Sequence, residues 1–476
     1  MANQVRTIFA NMSWMMIANI VTSLLAFVWT IFTARYLGVS DYGIFGFAIS
    51  TTALFNVIND LGMGTQIVRA IATDNSVAEK YLGNAIPLKF LLAVVYFIVI
   101  FLVLIILKSS YLTLIVTLLM AFEIVIQNLT GLLNSTFQAF ERLKYNAFSL
   151  LIVNGLNFIL ILGAIFLDLG LFGIVFAYIA ANCCALIYNI YTLRGKFVIP
   201  KIEFDPAFCK KLIIVGIPFA LTGVCYTIYY QIDIIMLTTM VGDYATGMYN
   251  ATYKLINVLS LFYSIYSAVV FPVMSKLFKS QKNMLNFGFE KSIKYLLLIT
   301  IPLALGMSFY ASDLILFVYG AEYAYADSIL RILIWTVIFL FVNGACTNLL
   351  NASHREVSVT KIYIIAAIFN ICVNFILIPK YSYIGASIAT VLSDILICIV
   401  CFYILKQMNQ LPRKGLILDI VKIVIATGVL AIALYILNLS MWLALPVGII
   451  IYFAVIFLLK TLDEDDKNIL RQLKGS

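Results

Sequence analysis

Residues 194–211, RGKFVIPKIEFDPAFCKK, stand between two long apolar runs that repeat one another, and this stretch decides how the chain is divided. Arg194, Lys196, Lys201, Lys210 and Lys211 outnumber Glu203 and Asp205, while Pro200 and Pro206 oppose a continuous helix. On its two sides, Leu37-Gly38 and Gly43-Ile44-Phe45 recur 204 residues later as Val241-Gly242 and Gly247-Met248-Tyr249. Asn157-Phe158-Ile159-Leu160-Ile161 recurs letter for letter as Asn374-Phe375-Ile376-Leu377-Ile378, at an offset of 217. The basic stretch therefore reads as a connector between two copies of one unit.

A chain of 476 residues that is 63% hydrophobic and 11% charged, with mean hydropathy +1.06, cannot hide that apolar surface in a water-soluble globule. It reads as an all-α membrane protein with no room for an appended catalytic domain, and it is not expected to be an enzyme. The first apolar segment is too long for a signal peptide and lacks a small-residue cleavage pattern, so it is expected to stay. With eight scattered cysteines and His354 as the sole histidine, no metal site and no cofactor are expected. Cys398 and Cys401 form a Cys-x-x-Cys spacing inside a lipid-length run, which favours packing over redox chemistry.

A bilayer core takes about 20 apolar residues per helix, which predicts fourteen spans. They lie near 12–34, 43–59, 86–107, 111–133, 147–167, 171–193, 212–239, 246–270, 295–318, 326–350, 362–378, 384–405, 423–438 and 441–459. Placing the N-terminus in the cytoplasm puts 26 of the 31 lysines and arginines on the inner side. Both termini are then cytoplasmic, and the +9 net charge is a topology signal that needs no nucleic-acid partner. Six spans per copy insert both copies in the same sense, related by an axis along the membrane normal. The expected divisions are a first lobe at 1–193, the connector at 194–211, a second lobe at 212–406, an extra helix pair at 407–460 and a cytoplasmic tail at 461–476. Met274 to Lys294 is expected to be an amphipathic helix on the inner leaflet. Asp463 to Asp466 is expected to start a solvated helix ending near Lys474.

The outer turn Ala34-Arg35-Tyr36-Leu37-Gly38-Val39-Ser40-Asp41-Tyr42-Gly43 resembles the corresponding segment of polysaccharide-biosynthesis flippases, the Wzx-like branch of the multidrug/oligosaccharidyl-lipid/polysaccharide exporter superfamily. Similar segments are Asp60-Leu61-Gly62 with Arg69, Phe137 to Arg142, Gly216-Ile217-Pro218, Gly247 to Ala251 with Lys254, and Leu316 to Gly320 with Tyr323. The resemblance covers nearly the whole chain. It implies two six-helix lobes in a V with two extra helices, in a plasma (inner) membrane. It also implies transfer of a polyprenyl-diphosphate-linked oligosaccharide to the outer leaflet. Membrane lipids and other polysaccharide-assembly proteins are the implied partners. In related lipid II flippases the added helix pair lines a groove for the isoprenoid tail, a part that spans 13 and 14 are placed to play.

Such a substrate needs cations for its diphosphate and polar or aromatic groups for its sugars. An ionised side chain at mid-membrane costs about 2.5 to 3.5 kcal/mol, so those present should face a cleft or one another. Lys254 is the leading phosphate contact, with Asp233 at similar depth across the span 7–8 hairpin, either as a static pair or as one that opens to substrate. Arg331 has Asp327 one turn earlier, which favours a structural pair or snorkelling over a substrate contact, and Arg35 ends span 1 as a gate, an exit-side phosphate contact or an ordinary interfacial arginine. Tyr229 and Tyr249, with Tyr226 and Tyr230, are candidates to stack on sugars. Glu123 and Asp394 lack a basic neighbour on their own helix and are the candidates for ion coupling; the alternative is a packing role, with Glu123 bonded to an amide such as Gln127.

No phosphate-binding Gly-x-x-x-x-Gly-Lys-Ser/Thr loop occurs, so ATP is not the expected direct fuel. An outward-moving dianion would instead gain about 4.6 kcal/mol per 100 mV of inside-negative potential. The rival readings are a multidrug/cation antiporter of the same superfamily and, from another class, a membrane glycan ligase or polymerase.

Overall fold

The computed structural model describes residues 2–280, 282–410, 412, 414–464 and 466, without the side chains of 2–13, 218, 219, 221, 222, 279, 280, 282, 283 and 414. The C-terminal helix expected to end near Lys474 lies outside these residues. Among them there is no strand. Among the described residues, ten helices are long and apolar enough to cross a membrane, or eleven if the pair Ala321–Leu333 and Thr336–Ala352, bent by 44°, is one span. The protein is a multi-pass helical membrane protein whose chain divides into two compact units, Met1–Ala251 and Thr252–Ser476.

The first unit opens with α1 (Ala2–Asp60), which breaks at Gly38 where φ is 70°. Spans 1 and 2 were expected to meet at that turn. A sharp corner follows at Leu61 and Gly62, both at positive φ, before α2 (Met63–Thr73). Lys89, buried on α3 (Ala78–Ile106), secures this corner. Its Nζ donates to the Asn59 carbonyl at 2.9 Å and pairs with Asp60 at 3.1 Å, so a lysine closes the C-terminal end of α1. Gly216 packs so closely on the Leu61 carbonyl that a Cβ there would collide with it.

Next come α4 (Tyr111–Ala139), α5 (Leu143–Phe166), α6 (Gly170–Lys196), α7 (Pro206–Met240) and α8 (Asp243–Ser280). α1 and α6 pack on both α4 and α5, and α7 packs on α1. Between α4 and α5, Glu141 takes a left-handed conformation (φ 57°) and Arg142 N donates to the Phe137 carbonyl at 2.9 Å. That bond closes the α4 terminus and gives the Phe137 to Arg142 segment a structural role. The connector is shorter than its composition suggests, because α6 runs to Lys196 and α7 starts at Pro206. Asp205 caps α7 by accepting from Ala207 N (2.9 Å) and Phe208 N (3.2 Å). The link between them is pinned, with Phe197 against the Phe137, Phe140 and Tyr145 rings and Asp205 N donating to Asn84 Oδ1 at 2.7 Å.

The repeated outer turns meet inside this unit. A Cβ on Gly43 would collide with the Asp243 carbonyl, and one on Gly247 would collide with the Val39 carbonyl. Val39 and Asp243, like Gly43 and Gly247, are 204 residues apart. Each contact is therefore the other with the two turns exchanged.

The second unit continues through α9 (Lys282–Phe309), α10 (Ala311–Tyr319), α11 (Asp327–Leu333), α12 (Thr336–Ala352), α13 (Glu356–Gln407, broken at Ser382), α14 (Lys414–Leu437) and α15 (Met441–Leu458). Two expectations are corrected here. Met274 to Lys294 is not a separate surface helix: its start is the end of α8 and its remainder opens α9, with Leu285, Phe289 and Ile293 buried. Nor is the acidic Asp463 to Asp466 stretch merely solvated, because Asp466 is buried and accepts from Lys291 and Lys294, both at 2.6 Å, and from Tyr295 at 2.7 Å. Lysines that read as interfacial are in fact the partners of the C-terminal segment. Tyr452 donates to the Leu298 carbonyl (2.8 Å) and Tyr310 to the Leu439 carbonyl (3.0 Å), docking α14 and α15 on α9 at other heights.

Candidate functional site

The first unit encloses a polar cavity of about 300 Å³ walled by α1, α4, α5 and α6. On α4 the lining residues Glu123, Gln127, Thr130 and Asn134 recur at spacings of four, three and four, which puts them on one helical face. Asn154 and Asn157 face them from α5, and Tyr178 and Asn182 from α6. Such a stripe within an otherwise apolar span is what a hydrated interior demands, since polar groups directed at hydrocarbon would be unsatisfied.

Glu123 is buried, and its Oε1 accepts from Asn182 Nδ2 at 2.7 Å. The amide partner thus comes from α6 rather than from Gln127 on its own helix. Trp29 donates to the Tyr178 hydroxyl at 3.2 Å, and the Tyr178 ring stands edge-on to Trp29 and Phe45. Deeper along the same seam, Asn189 donates to Asn134 Oδ1 at 3.0 Å and to the Thr130 carbonyl at 3.2 Å; Asn134 in turn donates to Ser149 at 3.4 Å. One carboxyl is thereby held among neutral donors, acceptors and aromatic rings. It can exchange a proton or attract a small cation, and the lining contains no basic side chain to compete. No cluster of three metal-ligating side chains occurs among the described residues.

The other candidates are distributed. Tyr249 donates to Asp233 Oδ2 at 2.8 Å with both side chains buried, so two expected site residues meet in the first unit. Tyr229 is buried against the Tyr230 ring, 5.1 Å between centroids, and the Tyr226 ring lies 4.4 Å from that of Tyr230, tilted by 44°. Arg35 is exposed beside the Gly38 break. Lys254 follows on α8 in the second unit and is half-buried. Arg331 pairs with Asp327 at 3.5 Å, the expected one-turn ion pair, with about half of its side chain exposed. Asp394 is buried, and Asn343 donates to its backbone carbonyl at 3.0 Å. Sequence reasoning missed Asn182, Asn189, Asn134, Tyr178 and Trp29. The available signal was Asn182 and Asn189 seven residues apart in an apolar span, two turns on one face.

The family model described as polysaccharide biosynthesis protein matches residues 8–278. The chain belongs to this family. A second model, MatE, matches residues 218–376. Among curated relatives, the uncharacterized membrane protein MJ1068 of Methanocaldococcus jannaschii is 33% identical over 229 residues, 47% of this chain and 45% of that protein. The capsular polysaccharide biosynthesis protein CapF of Staphylococcus aureus is 25% identical over 83% of this chain and 99% of its own length. The probable low-salt glycan biosynthesis flippase Agl15 of Haloferax volcanii is 24% identical over 35% of each chain. Among solved structures, the lipid II flippase MurJ in an inward closed conformation superposes with a TM-score of 0.80 at 18% identity, covering 94% of this chain and 98% of that one. That likeness establishes the fold. Membership in the multidrug/oligosaccharidyl-lipid/polysaccharide exporter superfamily follows from the family matches.

Proposed function

We propose that the protein moves a polyprenyl-diphosphate-linked oligosaccharide from the cytoplasmic to the outer leaflet by alternating access, with both termini in the cytoplasm of the producing cell. The observation that carries this reading is the polysaccharide biosynthesis family match over residues 8–278. The reciprocal Gly43 and Gly247 contacts support two copies of one six-span unit joined by the 194–211 connector. The breaks at Gly38 and Ser382 support counting α1 and α13 as two spans each, toward a total of fourteen. In this scheme Lys254, Arg35 and Arg331 meet the diphosphate along its route, and Tyr229 and Tyr249 meet sugars, with Asp233 holding the Tyr249 ring. Membrane potential favours outward movement of the anionic headgroup by about 2.3 kcal/mol per charge per 100 mV. Proton or sodium antiport through Glu123 or Asp394 adds to it.

The test is leaflet exchange of a fluorescent polyprenyl-diphosphate oligosaccharide in proteoliposomes. Wild type should exchange it with its glycan unchanged, and Lys254→Gln should slow exchange about tenfold or more, the loss of one charge-assisted phosphate contact. Glu123→Gln keeps the side-chain volume and a carbonyl for Asn182 while removing the exchangeable proton. Either this variant or Asp394→Asn should abolish the effect of an imposed ion gradient and leave downhill exchange. No exchange by wild type would sink the flippase reading, and altered glycan would replace it with a membrane enzyme. The MatE match over residues 218–376 favours one other reading, a cation antiporter. Transport of cationic compounds that survives Lys254→Glu and fails in Glu123→Gln would identify it.

A further inference from the structure

In the second unit, the break at Ser382 folds α13 back so that its two ends lie side by side. There Arg355, Ser358, Lys361, Ile404, Gln407 and Met408 line a cavity of about 390 Å³. Arg355 and Lys361 are exposed, and neither has an ion pair among the described residues. With the Ser358 hydroxyl and the Gln407 amide they make a set of donors with no lining acid to neutralise them. This end of the helices is the one that the lysine and arginine distribution assigns to the cytoplasm.

The surface above the cavity narrows the ligand. From Lys361, exposed Ile365, Ile368, Cys372 and Phe375 follow at helical spacing, and from Gln407, exposed Tyr403, Ile399 and Leu392 run back along the other limb. The first track rises about 21 Å at 1.5 Å per residue, longer than the roughly 15 Å half-thickness of a hydrocarbon core. A polar cavity holding two cations at the foot of two exposed apolar tracks has the shape of a two-chain phospholipid. A soluble phosphate would make no use of the tracks.

We infer that Arg355, Ser358, Lys361 and Gln407 form a binding site for the headgroup phosphate of an anionic glycerophospholipid, with its acyl chains lying along the Ile365–Phe375 and Leu392–Tyr403 tracks. The site lies outside the cavity around Glu123 and does not depend on what the protein transports. Basic pockets between spans on the cytoplasmic side are suited to anionic headgroups because each lysine or arginine gains electrostatic attraction at that surface.

Native mass spectrometry of the purified full chain tests this, with dioleoylphosphatidylglycerol, dioleoylphosphatidylcholine and inorganic phosphate titrated separately. Phosphatidylglycerol should bind more tightly than phosphatidylcholine, and Arg355→Gln with Lys361→Gln should weaken it about thirtyfold. The control pair Lys201→Gln with Lys210→Gln should leave it unchanged. Arg355 and Lys361 are both exposed, so an unaltered melting curve for their double variant is expected and certifies its fold. Equal phosphatidylglycerol affinity in wild type and the Arg355/Lys361 variant overturns the assignment. Displacement of the lipid by micromolar inorganic phosphate, lost in the same variant, reassigns the cavity to soluble phosphate and overturns the lipid reading.

Discussion

Asp466→Ala should lower the stability of the detergent-solubilised protein by about 2 kcal/mol, because it removes the buried carboxylate that Lys291 and Lys294 share and leaves each ammonium with fewer charge-assisted hydrogen bonds. Asp466 Oδ1 accepts from Lys291 and Tyr295, Oδ2 accepts from Lys294, and Asp463 N donates to Oδ2 at 2.9 Å. Once Asp466 is gone, Lys291 keeps Asp463 at 2.7 Å, while Lys294 keeps Asp419 at 2.9 Å and Asp463 at 3.4 Å. Asp463 and Asp466 also cap one another's backbone N–H, so the turn entering the C-terminal segment loosens with them.

Burial opposes ionisation of Asp466, but the hydrogen bonds from Lys291, Lys294 and Tyr295 outweigh it and hold the carboxyl below the usual carboxylate range. Its folded pKa lies below its unfolded value of about 3.9. The stabilisation is therefore complete above that value and is lost as pH falls beneath it toward the folded pKa. Thermal melts of wild type should show that acid loss, and melts of Asp466→Ala should show a shallower one from a lower plateau. Lys294→Met should destabilise alone, and in combination with Asp466→Ala should cost less than the sum, since the two changes remove one network. An Asp466→Ala melt coincident with wild type at neutral pH would show that these charges do not hold α14 and α15 to α9.

The unequal legibility of the sequence has a physical cause. Length, composition and apolar runs respond to the bilayer alone, so the helical architecture, the Gly38 turn and the one-turn Arg331–Asp327 pair were readable without coordinates. Contacts between distant segments follow a different logic. Nothing local distinguishes Lys291 and Lys294, which point into a buried network, from Lys276 on the same amphipathic pattern. Their partners lie some 170 residues away, at Asp463 and Asp466. Glu123 was conspicuous as a carboxylate in an apolar span. Its setting was not, because Asn182, Tyr178 and Trp29 converge only once α1, α4 and α6 are packed. The 204-residue repeat announced two related turns but not that each would seat its glycine on the backbone of the other.

That seating carries the second large prediction. Gly43→Ala and Gly247→Ala each place a methyl group into a backbone carbonyl, that of Asp243 in one case and Val39 in the other. A carbonyl in a helical turn cannot swing aside as a side-chain end can, so the start of α8 must retreat from the Gly38 turn. Overpacking of this kind costs about 1 to 3 kcal/mol, and the upper part of that range is expected here because both obstacles are main chain. Since the two contacts are one arrangement with its halves exchanged, the two substitutions should destabilise by similar amounts. The double variant should cost clearly less than their sum, because the retreat that relieves one methyl group also makes room for the other. Gly131→Ala, on a helix and with open space where its Cβ would lie, serves as the control and should not destabilise, gaining up to about 1 kcal/mol from the better helix former. Melting curves of the three single variants and the double variant measure all four quantities. Strict additivity, or a large effect at Gly43 beside none at Gly247, would mean that the turns do not share one contact and that the symmetry inferred from the repeat stops at the level of sequence.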